Sequence, residues 1–303
     1  MTDLTLPRAH TKVDDLVLLT KIRLNALVVA TTAGGYYMAA PKSVAVASLL
    51  VTCLGTALVA SGAAAFNQVD ERDLDRLMVR TRLRPVADGR MGAGEGRVIA
   101  GIFALAGLLI LWFGANAIAA LVALATLLSY AWIYTPLKRR SSLSTVVGAV
   151  PGALPPLIGW CAARGEAGGI ATAGMLANAA PWSLFLLMFL WQLPHFLAIA
   201  WMCREDYARA NLPMLSVVDR DGRMTGRQAV LWAATLIPIS ELPFLLNMTG
   251  PIYAVSALVL GLGMLALAFR FLIQRTNENA RTLFLGSIVY LPLLWIVMVV
   301  GRT

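Results

Sequence analysis

The sequence predicts an all-α integral membrane protein, with about nine transmembrane helices around a central cavity and two charged cytoplasmic segments capping it. Three observations support this prediction: 59% of the 303 residues are hydrophobic, only 14% are charged, and the apolar residues form long uninterrupted runs. Ordinary soluble domains contain about 25% charged residues. The composition therefore excludes a soluble fold, and we expect a single polytopic domain over residues 1–303.

The apolar runs are long enough to cross a bilayer, since a spanning helix needs roughly 20 apolar residues. The 40 residues of Val98–Leu137 contain no charge and hold two spans, separated at Gly114-Ala115-Asn116. Treating the other runs in the same way gives nine predicted spans, at residues 22–40, 44–66, 98–113, 117–134, 143–162, 181–203, 228–247, 252–271 and 282–300. A soluble core would explain one or two such runs but not nine.

The basic residues are distributed unevenly between the predicted connections. With the N-terminus in the cytoplasm, 22 of the 25 Lys and Arg residues fall in cytoplasmic segments, and only Lys42, Arg164 and Arg302 fall outside. Cytoplasmic loops of membrane proteins carry such an excess. The net charge of +9 therefore reflects topology, and we expect no nucleic-acid partner. The expected location is a bacterial cell (inner) membrane, with the N-terminus and the charged motifs in the cytoplasm.

Residues 67–85 read "NQVDERDLDRLMVRTRLRP" and follow the second predicted span directly. If that helix continues past Phe66, then Asn67, Glu71 and Asp75 are four residues apart and share one face. Like charges at this spacing destabilise a helix unless a cation lies between them. Hard oxygen ligands of this kind suit Mg²⁺, with substrate phosphates completing its shell. The stretch therefore predicts a magnesium site; the alternative is a solvated, internally ion-paired loop.

Basic residues follow this stretch and lie at the same membrane face. Arg80 and Arg84 come shortly after the acids, Arg23 opens the first span, and Lys138 and Arg139 close the fourth. Arginine binds phosphate in a bidentate manner. Carboxylates for a metal and cations for phosphate together indicate a diphosphate site. Anchoring of helix ends at the interface is the alternative role for these cations.

Three further features concern the interior. The prolines of "GAVPGALPPLIGW" (residues 148–160) predict a broken helix, and breaks at membrane depth are tolerated where they face protein or a cavity. His195 is the one histidine in a predicted span, where an ionisable residue indicates function; a packing histidine is the alternative. Asp206 lies at the membrane edge as a candidate for a second metal-binding group. Glu241, in the outer half, is assigned no role.

These motifs resemble the UbiA superfamily of intramembrane prenyltransferases, and most closely its heme-farnesylating branch. The resemblance covers nearly the whole chain. It rests on the Asn67, Glu71, Asp75 spacing followed by Arg-Thr and Arg-Pro, and on "YTPLKRRSSLSTVVGAVPGALPPLIGW" and "WQLPHFLAIAWMCREDYARANLPML". The chain departs from the superfamily at Met202, which stands four residues before Asp206 in place of the usual second acid. The first metal site is therefore the better supported one.

The resemblance implies transfer of a farnesyl group from farnesyl diphosphate to a vinyl group of heme B (protoheme IX), giving heme O and diphosphate. Mg²⁺ is the implied cofactor, and heme-modifying or terminal oxidase assembly proteins are candidate partners besides the lipid bilayer. The candidate catalytic residues are Asn67, Glu71, Asp75, His195 and Asp206. The candidate metal ligands are Asn67, Glu71, Asp75 and Asp206. The candidate diphosphate-binding residues are Arg23, Arg80, Arg84, Lys138 and Arg139.

Two other functions stay open from the residues alone. The first is a prenyltransferase for an aromatic acceptor such as a hydroxybenzoate. The second, of another class, is a non-catalytic membrane transporter or assembly factor, which would need neither Mg²⁺ nor a diphosphate site.

Overall fold

A computed structural model of the protein describes residues 11–41, 44–165 and 173–303. Over these residues the chain is helical and contains no β-strand, which confirms the predicted fold class. In chain order the helices are α1 (Lys12–Thr20), α2 (Ile22–Ala39), α3 (Val46–Asp70), α4 (Arg72–Leu77), α5 (Ala93–Gly114), α6 (Ala117–Leu137), α7 (Ser144–Ala153), α8 (Pro155–Arg164), α9 (Ala179–Met202), α10 (Arg204–Arg209), α11 (Leu215–Val218), α12 (Arg223–Ser240), α13 (Leu242–Leu245), α14 (Pro251–Ile273) and α15 (Asn277–Val300).

Helix length and composition agree with the prediction of about nine membrane spans. In the described part of the chain, eight helical segments are each long and apolar enough to cross a bilayer, and α7 with α8 and α12 with α13 each form one of them. The pair α1 and α2, bent by 45°, gives a ninth when the two helices are counted as one span. Arg8 and Lys42, which contribute to the charge asymmetry, lie outside the described residues.

The outer surface of the bundle is apolar, as a lipid-facing surface must be. On α5, five large side chains at three- and four-residue intervals are exposed, which places them on one helix face: Val98, Ile102, Leu105, Leu109 and Phe113. The opposite face of α5 packs closely on α3. Exposed apolar stripes of this kind would be unstable in water but suit contact with lipid chains.

Two breaks divide the apolar runs where the sequence predicts them. Between α5 and α6, the Asn116 side chain accepts a hydrogen bond from the Ala119 amide at 2.9 Å and donates one to the Cys161 carbonyl at 2.8 Å. Asn116 therefore caps α6 and joins it to α8. The proline-rich span divides into α7 and α8 at Leu154, which confirms the predicted broken helix.

The charged segments gather at one end of the bundle. Arg139 donates to the Asp70 carbonyl at 2.6 Å, which joins the end of α6 to the end of α3. Arg204, at the start of α10, donates to the Asn277 side chain at 2.6 Å, which joins it to the start of α15. These contacts link segments that the span count places on the same side of the membrane. They form the charged cap that the sequence predicts.

Close approach of α2 and α8 requires glycine at position 159. A Cβ atom built on Gly159 overlaps the Thr32 carbonyl oxygen and lies 2.6 Å from the Tyr36 amide nitrogen. Both neighbours are backbone atoms, so neither can move aside as a flexible side chain would. Small residues permit such helix contacts in membrane proteins, where packing supplies much of the association energy.

We expect Gly159→Ala to destabilise the protein by about 1–3 kcal/mol or more, as overpacked interiors do. Gly101→Ala on α5 is the matched control, because nothing lies within 4 Å of a Cβ atom built there. The measurement is thermal unfolding of the two purified variants in the same detergent. Equal midpoints for both variants and the unsubstituted protein would contradict the close contact.

Candidate active site

The predicted acidic face lies at the junction of α3 and α4. Glu71 sits between the two helices with φ −94° and ψ 6°, yet hydrogen bonds from the Glu71 amide to Asn67 and from the Asp75 amide to Glu71, at 2.9 and 2.8 Å, preserve the helical spacing. The side chains of Asn67, Glu71 and Asp75 are all buried, whereas Asp70 and Asp73 are exposed. The structure thus places these three residues on one face, as the sequence predicts, and shows that this face is buried.

Both buried carboxylates are paired with predicted diphosphate-binding cations. The Lys138 ammonium lies 3.1 and 3.0 Å from the two Glu71 oxygens, and an Arg84 guanidinium nitrogen lies 2.8 and 2.7 Å from those of Asp75. Burial alone would lower the pKa of Lys138, but the nearby Tyr134 and Glu71 outweigh it and raise the pKa above 10.5. This direction favours the charged form of Lys138 beside Glu71.

Lys21 completes the site, a role that the sequence did not predict. Its ammonium donates to the Asn67 side-chain oxygen at 3.1 Å, and the Asn67 amide in turn donates to the Thr135 hydroxyl at 3.3 Å. Lys21 has a left-handed backbone, with φ 49° and ψ 46°, at the bend between α1 and α2. Arg23, one of the predicted diphosphate-binding residues, is exposed and makes no ion pair within the described part of the chain. The only sequence signal for Lys21 was its place at the start of the span.

Asp206 has contacts that differ from those of a metal ligand. Its carboxylate accepts hydrogen bonds from the backbone amides of Val79 and Arg80, at 3.2 and 3.3 Å, and pairs with Arg209 at 2.8 Å. Asp206 thereby fixes the loop after α4 to α10 and couples the two charged segments. Its assignment as a metal ligand stays a prediction that these contacts do not support.

The remaining predicted cations, Arg80 and Arg139, lie at the rim of the site. Both are exposed, and Arg139 is tied to the Asp70 carbonyl as described above. Neither pairs with Glu71 or Asp75 in the described structure. Lys138 and Arg84 lie inside the cluster, so the diphosphate-binding role of Arg80 and Arg139 stays a prediction.

The side-chain oxygen atoms of this cluster suit a hydrated hard cation such as Mg²⁺, with a bound substrate completing its coordination. Among the described residues, no group of three or more His, Cys, Asp and Glu side chains is arranged to bind a metal alone. Glu71, Asp75 and the Asn67 amide oxygen offer two carboxylates and one neutral oxygen. Mg²⁺ is commonly held by one or two carboxylates, with substrate phosphates and water supplying the other ligands.

A cavity of about 320 Å³ lies within the bundle. Lys21, Tyr130 and Tyr134 are among its lining residues, and Lys21 connects it to the acidic cluster through its hydrogen bond to Asn67. Most of the wall is apolar, with several polar side chains among the lining residues. The broken span contributes Pro151 and Pro155, so the structure contains the central cavity that the sequence predicts. An ionic cluster beside a mostly apolar cavity suits a ligand with an anionic head and a long hydrocarbon tail.

His195 lines the same cavity from α9. Its ring stacks on Trp191, with centroids 5.0 Å apart and an interplanar angle of 24°, and lies 5.0 Å from the ring of Phe284. The Nδ1 atom is 2.7 Å from the Ser287 hydroxyl oxygen on α15. Glu241 lies at the junction of α12 and α13 and is not among the lining residues. The sequence indicated His195 but gave no signal for its partners on α15.

The helical bundle, with a buried charged cluster and a mostly apolar cavity inside it, has the architecture of an intramembrane enzyme. The chain belongs to the UbiA prenyltransferase family, which it matches over residues 27–295. Its relatives include proteins named protoheme IX farnesyltransferase. The one from Solibacter usitatus is 44% identical over 297 residues, covering 95% of this chain and 98% of the relative. The one from Koribacter versatilis is 41% identical over 295 residues, covering 94% of this chain and 92% of the relative.

Solved structures agree on the fold. A digeranylgeranylglyceryl phosphate synthase structure superposes with a TM-score of 0.77 at 16% identity, covering 96% of this chain and 98% of that one. A UbiA homologue from Archaeoglobus fulgidus, bound to GPP and Mg²⁺, superposes with a TM-score of 0.59 at 15% identity, covering 94% of this chain and 99% of that one. At these identities the structural likeness concerns the fold alone.

Proposed function

We propose that the protein transfers the farnesyl group of farnesyl diphosphate to a vinyl group of heme B, giving heme O and diphosphate. The observation that carries this proposal is the buried, paired cluster of Glu71, Asp75, Lys138 and Arg84, which Lys21 connects to a mostly apolar cavity through Asn67. The names of the relatives support farnesyl as the donor group and protoheme as the acceptor.

The site residues bind the diphosphate by exchanging partners. In the described structure Lys138 and Arg84 are bonded to carboxylates, so each releases a carboxylate oxygen and takes a phosphate oxygen when the substrate enters. Glu71 and Asp75 are then free to hold Mg²⁺, and Asn67 would assist once Lys21 releases its amide oxygen. A homologue of the same fold from Archaeoglobus fulgidus has been solved with GPP and Mg²⁺. When bound, the metal supplies positive charge that stabilises the departing diphosphate.

The proposed reaction breaks one bond to carbon and forms two. The C1–O bond of farnesyl diphosphate breaks, and its electron pair leaves with the diphosphate, where Lys138 and Arg84 stabilise the developing charge. The vinyl π electrons of heme form the new bond to C1, and water adds to the resulting cation and loses a proton. The apolar cavity wall holds the hydrocarbon and keeps water away from the allylic centre before the vinyl group arrives.

The experiment is a reconstitution of the purified chain in lipid nanodiscs with farnesyl diphosphate, Mg²⁺ and either heme B or 4-hydroxybenzoate. Mass spectrometry should detect a heme product heavier by one farnesyl group and one hydroxyl group, and no prenylated benzoate. Prenylated benzoate without a heme product would support the aromatic-acceptor alternative. Absence of both products from folded protein would favour a non-catalytic role.

The site is further proposed to face the cytoplasm of a bacterial cell, as the charge asymmetry predicts. Single cysteines introduced by Asp88→Cys and Arg220→Cys, with the three native cysteines replaced, should react with an impermeant thiol reagent only from the cytoplasmic side. Gly168→Cys, at a position outside the described residues, should react only from the opposite side. Labelling of all three variants from one side would contradict the nine-span topology.

A further inference from the structure

The contacts of Ser287 favour one tautomer of His195. The Ser287 hydroxyl oxygen lies 2.6 Å from the Phe284 carbonyl oxygen, to which it can only donate, and 2.7 Å from His195 Nδ1. When the single hydroxyl hydrogen bonds to Phe284, Nδ1 is the donor to Ser287, and Nε2 of the neutral ring then holds a lone pair. A hydroxyl that donated to Nδ1 instead would place the ring hydrogen on Nε2, and the porphyrin titrations below distinguish the two arrangements.

The surroundings favour the neutral form of this imidazole. Its described ring neighbours are Trp191, Phe196 and Phe284, and no ion pair of the described residues includes it. An imidazolium ion at membrane depth without a carboxylate partner would be costly. In the favoured tautomer the ring is thus an acceptor at Nε2 and a donor at Nδ1.

Ser287 also fixes the plane of the ring. Its backbone carbonyl accepts a hydrogen bond from the Trp191 indole nitrogen at 2.8 Å, and Trp191 stacks on His195. One fully buried residue on α15 therefore holds both the imidazole and the indole that stacks on it. Nε2 of His195 has no hydrogen-bond partner among the described residues. It is not completely shielded by the surrounding protein, and His195 lines the cavity.

We propose that Ser287 is a positioning residue that presents the His195 Nε2 lone pair to the cavity, so that His195 binds the iron of the heme acceptor rather than a propionate. This inference rests on the proposed function. A propionate needs a hydrogen-bond donor, which Nε2 of this tautomer cannot supply. Iron needs a lone pair, and metal-bound histidines generally donate their other ring N–H to a fixed partner.

The test compares heme B with iron-free protoporphyrin IX, which has the same propionates but no metal. Each is titrated into the purified full-length chain in nanodiscs, with the heme absorption spectrum followed for an imidazole-to-iron signature. The unsubstituted protein should show that signature and bind heme B more tightly than protoporphyrin IX. His195→Ala should remove both, and added free imidazole should restore the signature.

Ser287→Ala should weaken heme B binding by about 10- to 100-fold, the usual effect of losing a partner of a metal-bound histidine, with little change for protoporphyrin IX. Ser287→Thr, which keeps the hydroxyl, should retain most of the preference, and thermal unfolding checks that each variant is folded. If the unsubstituted protein binds both porphyrins equally, the iron-ligand role falls while the heme acceptor stands. If it binds neither, both proposals fall.

Discussion

Replacement of Asp75 by alanine is expected to abolish measurable prenyl transfer, a loss of at least about 10²- to 10³-fold, as when one preorganised electrostatic group is removed from an active site. Asp75 is completely buried and is the partner of Arg84. Its removal takes away one of the two carboxylates proposed for the metal and leaves Arg84 without its partner. The measurement is heme O formation by mass spectrometry under the conditions of the reconstitution.

A loss of folding has to be separated from a loss of chemistry, because breaking a buried ion pair costs about 3–5 kcal/mol. Asp75→Asn retains an oxygen acceptor for Arg84 while removing the charge, so it should fold and still be inactive. Asp73→Asn is the matched control, since its side chain is 68% exposed and lies off the buried face. Near-normal heme O formation by folded Asp75→Ala or Asp75→Asn protein would remove Asp75 from the proposed metal site.

Replacement of Lys138 by methionine is expected to weaken binding of the diphosphate substrate by about 10- to 100-fold. Lys138 is a buried cation bonded to both oxygens of Glu71, and a hydrogen bond to a charged group contributes about 1.5–3 kcal/mol. Calorimetric titration with a non-hydrolysable farnesyl diphosphate analogue gives the affinity directly. Arg140→Gln is the control, because Arg140 is exposed two residues further along.

The ion pair itself complicates this measurement, since Lys138→Met also leaves Glu71 buried without a partner. A double-mutant cycle with Glu71→Gln resolves this, because it separates the energy of the pair from the energy of each group with the ligand. If Lys138 exchanges Glu71 for a phosphate oxygen, the Glu71→Gln/Lys138→Met protein should bind the analogue weakly as well. Recovery of normal affinity in the double variant would show that Lys138 only neutralises Glu71.

The two basic residues at the start of the first span illustrate where reasoning from the sequence ends. Arg23 and Lys21 are two positions apart, so on a regular helix they point in very different directions. The sequence favoured Arg23, but the structure bonds Lys21 to Asn67 and leaves Arg23 exposed. The left-handed backbone of Lys21 and the 45° bend beside it redirect the side chain, and no periodicity argument anticipates such a break.

Asp206, in the short helix α10, is a second residue whose role the sequence alone does not fix. Its position at the membrane edge suggested a metal ligand, but its carboxylate holds the amides of Val79 and Arg80, more than 120 residues earlier in the chain. An acidic side chain near a predicted site can bind a metal or satisfy backbone donors. Which of these it does depends on the loop that folds against it.

The sequence by itself determined the membrane class, the count of about nine spans, the broken helix and the shared helix face of Asn67, Glu71 and Asp75. These are local properties, because hydropathy over about 20 residues and a four-residue spacing need no knowledge of distant segments. The tertiary structure alone decided which cation meets which carboxylate and which hydroxyl orients His195. Lys138 and Glu71 are 67 residues apart and Ser287 and His195 are 92 apart, and contacts over such separations depend on how the helices cross and bend, which local sequence patterns do not specify.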